Sequence, residues 1–255
     1  MFFTPKWWLS HAFVLVMLVT MASAGVWQLN RLAERRASNA DIAAAAAADP
    51  VPIEDVLARI DDGEVVSEHT VVVVRGEYRS DLEFLVANRT FDTQPGSWLA
   101  APVELEDGTL VVVSRGWIPR RWIVGDDPRN ADAPSGTVEV VGRLFNSVEG
   151  GLVATGTTLF PEVSRLDLDA VSLATGAAEL APRWVQLDAQ VPAQGELPIP
   201  VPPEPINDGP HLSYAVQWFI FTTSTVIVYS LILRKRYQEA QVRATNGDVD
   251  IEVVV

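Results

Sequence analysis

The sequence predicts a membrane protein in which two transmembrane helices flank an exported α+β domain, built mainly as an antiparallel sheet or a small barrel. Three observations predict this fold class: an uncharged apolar run near each end, an acidic block between them, and short β-branched or alternating segments within the block. The two runs cover residues 7–29 and 214–233, which is 23 and 20 residues. At about 1.5 Å of helical rise per residue, each run can cross a hydrocarbon core of ~30 Å.

The composition excludes several classes of function. The chain has 255 residues, and its 33 acidic against 19 basic residues give a formal net charge of −14. That charge argues against nucleic acid as a partner, because phosphate binding needs a basic face. The absence of cysteine excludes disulfides, thiol redox chemistry and thiolate metal sites. Copper delivery would need a cluster of cysteine or methionine, and the three methionines are residues 1, 17 and 21.

The distribution of charge predicts the orientation. Residues 37–211 contain 28 acidic and 11 basic residues, a net charge of −17, whereas the rest of the chain sums to +3. Cytoplasmic flanks of spans carry the excess of Lys and Arg. Five basic residues lie on the side of the termini and three on the side of the block: Lys6, Arg234, Lys235, Arg236 and Arg243 against Arg31, Arg35 and Arg36. The sequence therefore predicts cytoplasmic termini and an extracytoplasmic central domain.

The first run has a second interpretation as a cleaved secretory signal. Lys6, the apolar residues 9–21 and the small residues 22–24 fit the three parts of such a signal. Against this, the helical pattern continues into a helix-forming tract that ends near Pro50. A mature amino terminus at Gly25 would contradict the interpretation with two spans.

The predicted organisation follows from these patterns. The chain begins with a cytoplasmic start (1–6), the first span (7–29) and a helical extension (30–49). The exported β-rich domain (50–190) follows, and a Pro-rich strap (191–210) links it to the second span (211–233). The chain ends in a cytoplasmic tail (234–255), which we expect to be disordered from Thr245. Within the domain we expect helices at 53–60 and around 167–178, and strands at 70–74, 84–87, 99–105, 110–117, 137–145 and 183–187. Asp107-Gly108 marks a hairpin turn.

Polar and aromatic side chains gather where the two spans meet the outer surface. The first span carries Trp27, Gln28 and Arg31, and the second begins with His211, Tyr214 and Trp218 on one helical face, with Gln217 beside them. Polar groups that enter a bilayer are costly, so they are usually functional or paired with each other.

Two structural alternatives stay open for this group. Gln28 and Gln217 could hydrogen-bond across the helix pair, and the aromatic residues could be ordinary interface anchors. Arg31 and Arg35 could lie on a solvated helix face, or they could meet lipid headgroups or cofactor carboxylates. His11 lies near the opposite end of the first span, so it cannot share a metal with His211.

The familiar catalytic signatures are absent from the sequence. It contains no H-E-x-x-H, G-x-S-x-G, P-loop or Rossmann fingerprint, and His69 is the one histidine inside the exported block proper. We therefore expect that the protein is not an enzyme.

Four ordered segments resemble the signatures of the Surfeit locus protein family. They are GVWQLNRLAER (25–35), NRTFDTQPGSWLAAPV (88–103), VVVSRGWIP (111–119) and HLSYAVQWF (211–219). The resemblance implies an assembly factor for haem-copper cytochrome c oxidase with two spans around an exported domain. It implies oxidase subunit I as partner, haem a synthase as a further candidate partner, and contact with membrane lipid.

The resemblance also implies roles for particular residues. The family's histidine before the second span, implicated in binding haem a, maps onto His211, which would be the iron ligand of transiently bound haem. The implied cofactor group is Trp27, Gln28, Arg31, His211, Tyr214, Gln217 and Trp218, and the implied interaction group is Arg115, Gly116, Trp117 and Pro119. Arg35 stands where a lysine is expected. With no room for a transit peptide before Trp7, we expect a bacterial member in the cell membrane. The alternative is a membrane-anchored envelope scaffold without a cofactor.

Overall fold

The computed structural model describes residues 5–127, 129–154, 160–203 and 205–249, and the chain divides into two compact units. The first unit combines the chain up to Asn39 with the chain from Ile206 onward. The second unit comprises Ala40–Pro205.

Two long helices form the first unit. α1 (Pro5–Ala47) contains no proline after its first residue and one glycine, so nothing in its sequence interrupts the helical hydrogen bonds. α5 (His211–Val249) begins directly after Gly209-Pro210. Both helices are long and apolar enough to cross a membrane, which suggests a membrane protein. Residues 245–249, predicted to be disordered, continue α5; the rest of the predicted tail lies outside the described residues.

The two helices face each other through residues spaced alternately three and four apart, the spacing of one helical face. The partly or fully buried positions are His11, Val14, Leu18, Met21, Gly25, Gln28 and Leu32 on α1, and His211, Ala215, Trp218, Thr222, Thr225 and Tyr229 on α5. A Cβ atom on Gly25 would lie 2.9 Å from the Phe219 ring, so glycine permits the close approach there. Large apolar side chains cover the outward faces, an arrangement that suits lipid.

A nine-stranded mixed sheet forms the second unit. Its strands are β1 (Val51–Pro52), β2 (Val71–Tyr78), β3 (Phe84–Phe91), β4 (Gln94–Glu104), β5 (Leu110–Pro119), β6 (Thr137–Asn146), β7 (Val153–Ala154), β8 (Glu162–Val163) and β9 (Leu180–Val191). The order is β1-β2-β6-β9-β5-β4-β3-β8-β7, and β2 also pairs with β4 over two residue pairs. Three pairings are parallel, namely β1–β2, β3–β8 and β5–β9, and the other six described are antiparallel.

The described residues of this unit also form three short α-helices, α2 (Ile53–Asp61), α3 (Arg120–Ile123) and α4 (Leu168–Thr175), and a 3₁₀ turn (Ser80–Leu82). α2 buries Ile53 and Val56 in the largest apolar cluster of this unit. α4 packs Val171 into a second cluster. Its amino end is capped by the Asp167 carboxylate, and it ends at Gly176, whose φ of 75° is left-handed.

The predicted elements correspond closely to these. The six predicted strands are β2, β3, β4, β5, β6 and β9, the two predicted helices are α2 and α4, and the Asp107-Gly108 turn joins β4 to β5. The sequence did not predict β1, β7 and β8, because two residues are too few to show an alternating pattern. The β1–β2, β3–β8 and β5–β9 pairings make the sheet mixed, because the two strands of each pair run parallel.

Candidate functional site

The first feature of the helix pair is a hydrogen bond between its two helices at the start of α5. The Nδ1 atom of His211 lies 2.9 Å from the Oε1 atom of Gln28. An amide oxygen only accepts, so Nδ1 is the donor in this contact, and in a neutral ring the lone pair is then on Nε2. An imidazole oriented through one nitrogen in this way is the usual form of a metal-ligating histidine.

The chain just before His211 is tied to α1. The Nε atom of Arg36 donates to the Oδ2 atom of Asp208 at 2.8 Å, and the Nδ2 atom of Asn39 donates to the carbonyl oxygen of Asn207 at 3.0 Å. Exposed ion pairs stabilise by at most about 1 kcal/mol, so the effect of these contacts is chiefly positional. A Cβ atom on Gly209 would lie 3.5 Å from Nε2, in van der Waals contact with the ring, so glycine keeps a side chain away from this edge.

The other residues of the predicted cofactor group take no part in this hydrogen bond. Trp27 and Tyr214 are 60% and 48% exposed on the outward faces, and Gln217 is exposed as well. Trp218 is partly buried and meets the Phe221 ring edge to face. The described residues show no hydrogen bond between Gln28 and Gln217, because Gln28 bonds to His211 instead.

The two arginines near this end differ in their partners. The NH1 atom of Arg31 donates to the Oε2 atom of Glu34 at 2.8 Å, and both side chains are exposed. Arg35 is exposed too, and it has no carboxylate within 4 Å in the described parts of the chain. Of the pair considered for anionic groups, Arg35 is therefore the cation that is not already neutralised.

A second polar contact lies at the opposite end of the helix pair. The Tyr229 hydroxyl lies 2.6 Å from the Nδ1 atom of His11 and 3.4 Å from the Oγ atom of Ser10. Seventeen residues of α1 separate His11 from Gln28, which corresponds to about 25 Å of helix. Tyr229 was not singled out from the sequence. Its signal was the helical face it shares with His211, Trp218 and the other inward positions of α5.

The predicted interaction group lies inside the second unit. Arg115 is completely buried, and its NH1 and NH2 atoms donate to the Glu83 carboxylate at 2.7 Å and the Asp132 carbonyl oxygen at 2.8 Å. Burial lowers the pKa of Arg115 and raises the pKa of Glu83, and the attraction between the two charges opposes both shifts. Arg115 therefore holds β5 to the chain at the start of β3.

Gly116 and Trp117 fasten the predicted strap. The backbone of Trp117 exchanges two hydrogen bonds with that of Ile199, at 2.7 and 2.8 Å. A Cβ atom on Gly116, whose φ is 144°, would lie 2.3 Å from the Ile199 carbonyl oxygen, so only glycine fits. Leu197 is fully buried nearby.

With Pro119, the four residues of the interaction group are all buried within the second unit. What they contact there is the domain's own strap and neighbouring strands. A contact with a partner protein through them stays a prediction. Glu83 and Ile199, which these residues bind, were not identified from the sequence, because each lies far from its partner along the chain.

The described residues contain no group of three or more His, Asp or Glu side chains arranged to hold a metal ion. A haem iron does not need such a group, because a single imidazole can serve as its axial ligand. His211 is the residue whose donor set fits that role, with Nδ1 hydrogen-bonded to Gln28 and Nε2 without a hydrogen-bond partner in the described residues.

Comparison with known proteins agrees with the family resemblance of the four sequence segments. Residues 15–223 match the sequence profile of the SURF1 family. An uncharacterized SURF1-like protein of Mycobacterium tuberculosis is 28% identical over 222 residues, which cover 84% of this chain and 79% of that protein. The SURF1-like protein of Rickettsia conorii is 24% identical over 255 residues, covering 92% and 95%.

The human protein named Surfeit locus protein 1 is also similar. It is 25% identical over 236 residues, which cover 83% of this chain and 73% of the human one. The SURF1 family is known in general as a family of cytochrome c oxidase assembly factors. Since the profile matches well over half of its length, this chain belongs to the SURF1 family.

Proposed function

We propose that this protein assists the maturation of cytochrome c oxidase subunit I by holding haem a transiently at the His211 end of its helix pair. The observation that carries the proposal is the hydrogen bond between His211 Nδ1 and Gln28 Oε1, which leaves Nε2 open. Haem a is the cargo in this role, and no reaction is catalysed by the protein itself.

Three kinds of group near His211 fit this cargo. His211 would supply an axial nitrogen to the iron, and Gln28 would fix the ring's orientation. The aromatic rings of Tyr214 and Trp218 offer faces for an apolar macrocycle. The free guanidinium of Arg35 suits a propionate, whereas Arg31 would first have to leave Glu34.

The proposed setting is a bacterial cell membrane crossed twice, with both termini in the cytoplasm and the sheet domain outside. Length and apolarity of α1 and α5 support the two crossings, and the distribution of Lys and Arg supports the direction. The proposed partners are oxidase subunit I, haem a synthase as the source of the haem, and membrane lipid. A phosphatase reporter inserted at Gly108 would be active, and the same reporter fused after Val249 would be inactive. The opposite pattern would contradict the orientation.

The haem assignment is tested by the absorption spectrum of the purified protein. We expect His211→Ala to abolish co-purified haem and Gln28→Leu to weaken haem binding by about 10–100-fold, the usual effect of losing a partner that orients a ligand. His11→Ala is the matched control, because it removes the other histidine of the helix pair and should leave the haem unchanged. Full haem retention in His211→Ala with normal membrane insertion would remove His211 from the ligand role.

The assembly role is tested separately in a strain that lacks the protein. We expect low oxidase activity and low haem content in subunit I, both restored by the natural chain and not by His211→Ala. Normal oxidase in the deletion strain, with no haem spectrum for the purified protein, would favour an envelope scaffold without a cofactor.

A further inference from the structure

The second unit contains a cleft with a volume of about 700 Å³ that the function above does not use. Sites for small organic molecules commonly measure about 300–1,000 Å³. Three segments and one acidic residue line it: 88–90 on β3, 95–97 on β4, Arg120 with 123–125 after β5, and Glu162 on β8. We call it the arginine cleft, after Arg89 and Arg120.

Arg89 is held in place by an irregularity in β3. The register of β3 against β4 shifts between Val86 and Arg89, and Asn88 takes a left-handed φ of 56°. Such a bulge re-aims the side chain that follows it. The Arg89 guanidinium lies 4.7 Å from the centre of the Trp98 ring, and its NH1 atom donates to the Ala87 carbonyl oxygen at 3.1 Å. The charged group is thereby held against Trp98 before any ligand arrives.

Neither arginine of the cleft has a carboxylate partner in the described parts of the chain. Seven of the eleven arginines in residues 37–211 lie within 4 Å of a carboxylate. Arg89 and Arg120 do not, although acidic residues outnumber basic ones there by 28 to 11. Burial, together with the charge of Arg165, lowers the pKa of Arg89. An anion in the cleft would offset that cost, since a partly buried charge is stabilised by pairing.

The cleft combines this charge with apolar surface. The side chains of Pro95, Ile123 and Val124 line it, and Glu162 is its one carboxylate against two guanidinium groups. Trp117 braces two of the lining residues: its Nε1 atom donates to the Arg89 carbonyl oxygen at 3.0 Å. A Cβ atom on Gly96 would lie 2.5 Å from that same Nε1 atom, so the glycine lets the indole pack against β4.

We propose that the arginine cleft binds a small organic anion, a carboxylate or phosphate carried on an apolar body. Arg89 and Arg120 pair with the anionic group, and Pro95, Ile123 and Val124 contact the apolar body. This site is independent of the haem role, because all its residues belong to the second unit.

The test uses three probes that share one ring system: 2-naphthoate, 2-naphthyl phosphate and the uncharged 2-naphthylmethanol. Binding to the purified full chain is measured by saturation-transfer NMR and calorimetry. We expect at least one anionic probe to bind at least tenfold more tightly than the alcohol, with an affinity that falls as salt rises. The stronger anionic probe identifies a carboxylate or a phosphate as the preferred group.

Variants locate the binding. Arg89→Gln should abolish it, and Arg120→Gln should weaken it by at least about tenfold, because each variant removes one charge-assisted partner of the anion. Arg120 is exposed and has no carboxylate within 4 Å among the described residues, so Arg120→Gln tests the proposal if Arg89→Gln fails to fold. Arg75→Gln, an exposed arginine on β2 that pairs with Glu139, is the matched control. Equal affinity in Arg120→Gln and Arg75→Gln, or equal binding of the alcohol, would overturn the proposal. Unchanged haem content in Arg120→Gln would separate this site from the haem role.

Discussion

Arg115 donates to Glu83 at 2.7 Å, and the arginine side chain is completely shielded from solvent while the glutamate is 9% exposed. Thirty-two residues separate the two along the chain. Each buried charge is tolerable chiefly because the other is present, so the pair connects β5 to the chain at the start of β3 in an all-or-none manner.

Breaking this pair should be costly. We expect Arg115→Leu to lower the free energy of unfolding by about 3–5 kcal/mol, because Glu83 is left buried without its partner. Loss of β signal in circular dichroism during chemical unfolding measures the change. Arg75→Leu breaks an exposed ion pair with Glu139 and should cost no more than about 1 kcal/mol. Similar losses in both variants would contradict the importance of burial.

Gly116 should be the position that holds the strap to β5. Gly116→Ala adds a Cβ atom 2.3 Å from the Ile199 carbonyl oxygen, so we expect the strap to detach and residues 192–203 to become sensitive to limited proteolysis. Gly108→Ala is the control: its φ of 87° is equally unfavourable for alanine, but no atom lies within 4 Å. Proteolysis of the strap in both variants would attribute the effect to backbone strain alone.

The amino-terminal cap of α4 should make stability depend on pH. Hydrogen bonds from the Gly151 backbone N–H at 2.7 Å, and then from the first turn of α4, lower the pKa of Asp167. Its contribution is therefore complete above the unfolded pKa of about 3.9 and is lost as the pH falls through the folded value.

Asp167→Ala should cost about 1 kcal/mol at neutral pH, and the difference from the natural chain should shrink in acid. Unfolding curves collected between neutral pH and acid measure this. Asp169→Ala, at an exposed position in the same turn, should be close to neutral. A pH-independent loss in Asp167→Ala would show that the carboxylate charge is not what stabilises the cap.

The contact between Tyr229 and His11 should stabilise the helix pair without affecting the haem end. Tyr229→Phe removes a hydroxyl that lies 2.6 Å from the His11 Nδ1 atom, and hydrogen bonds between membrane helices are worth about 0.6 kcal/mol on average. We expect the pair to unfold at lower sodium dodecyl sulfate concentration, with unchanged haem content. Tyr237→Phe, at an exposed tyrosine further along α5, should leave the transition in place. Haem loss in Tyr229→Phe would show that the two ends are coupled.

Much of the fold could be predicted because its signals are local. The helices are long and uninterrupted, and the six longer strands alternate or are β-branched over four residues or more. The two-residue strands are too short to show an alternating pattern, and the parallel β5–β9 pairing joins segments far apart along the chain, so neither has a local signal. The domain boundaries at residues 50 and 190 stay predictions.

The sequence singled out His211 and Gln28, but it did not predict the surroundings of Arg115 and Trp117. His211 and Gln28 stood out because polar residues in apolar helices are rare, but their hydrogen bond joins positions 183 residues apart. The family resemblance implied an interaction role for Arg115 and Trp117. Their burial depends on Glu83 and on the strap, and no pattern near residue 115 indicates either.

The sequence by itself determined the two apolar helices, the acidic domain between them and the family, because composition, periodicity and ordered motifs are properties of the chain alone. Only the tertiary structure decided which nitrogen of His211 is engaged, which charge neutralises Arg115, and that Arg89 and Arg120 share one cleft. The physical reason is the same in each case. These properties depend on burial and on atom-to-atom distances between segments that the chain brings together only by folding.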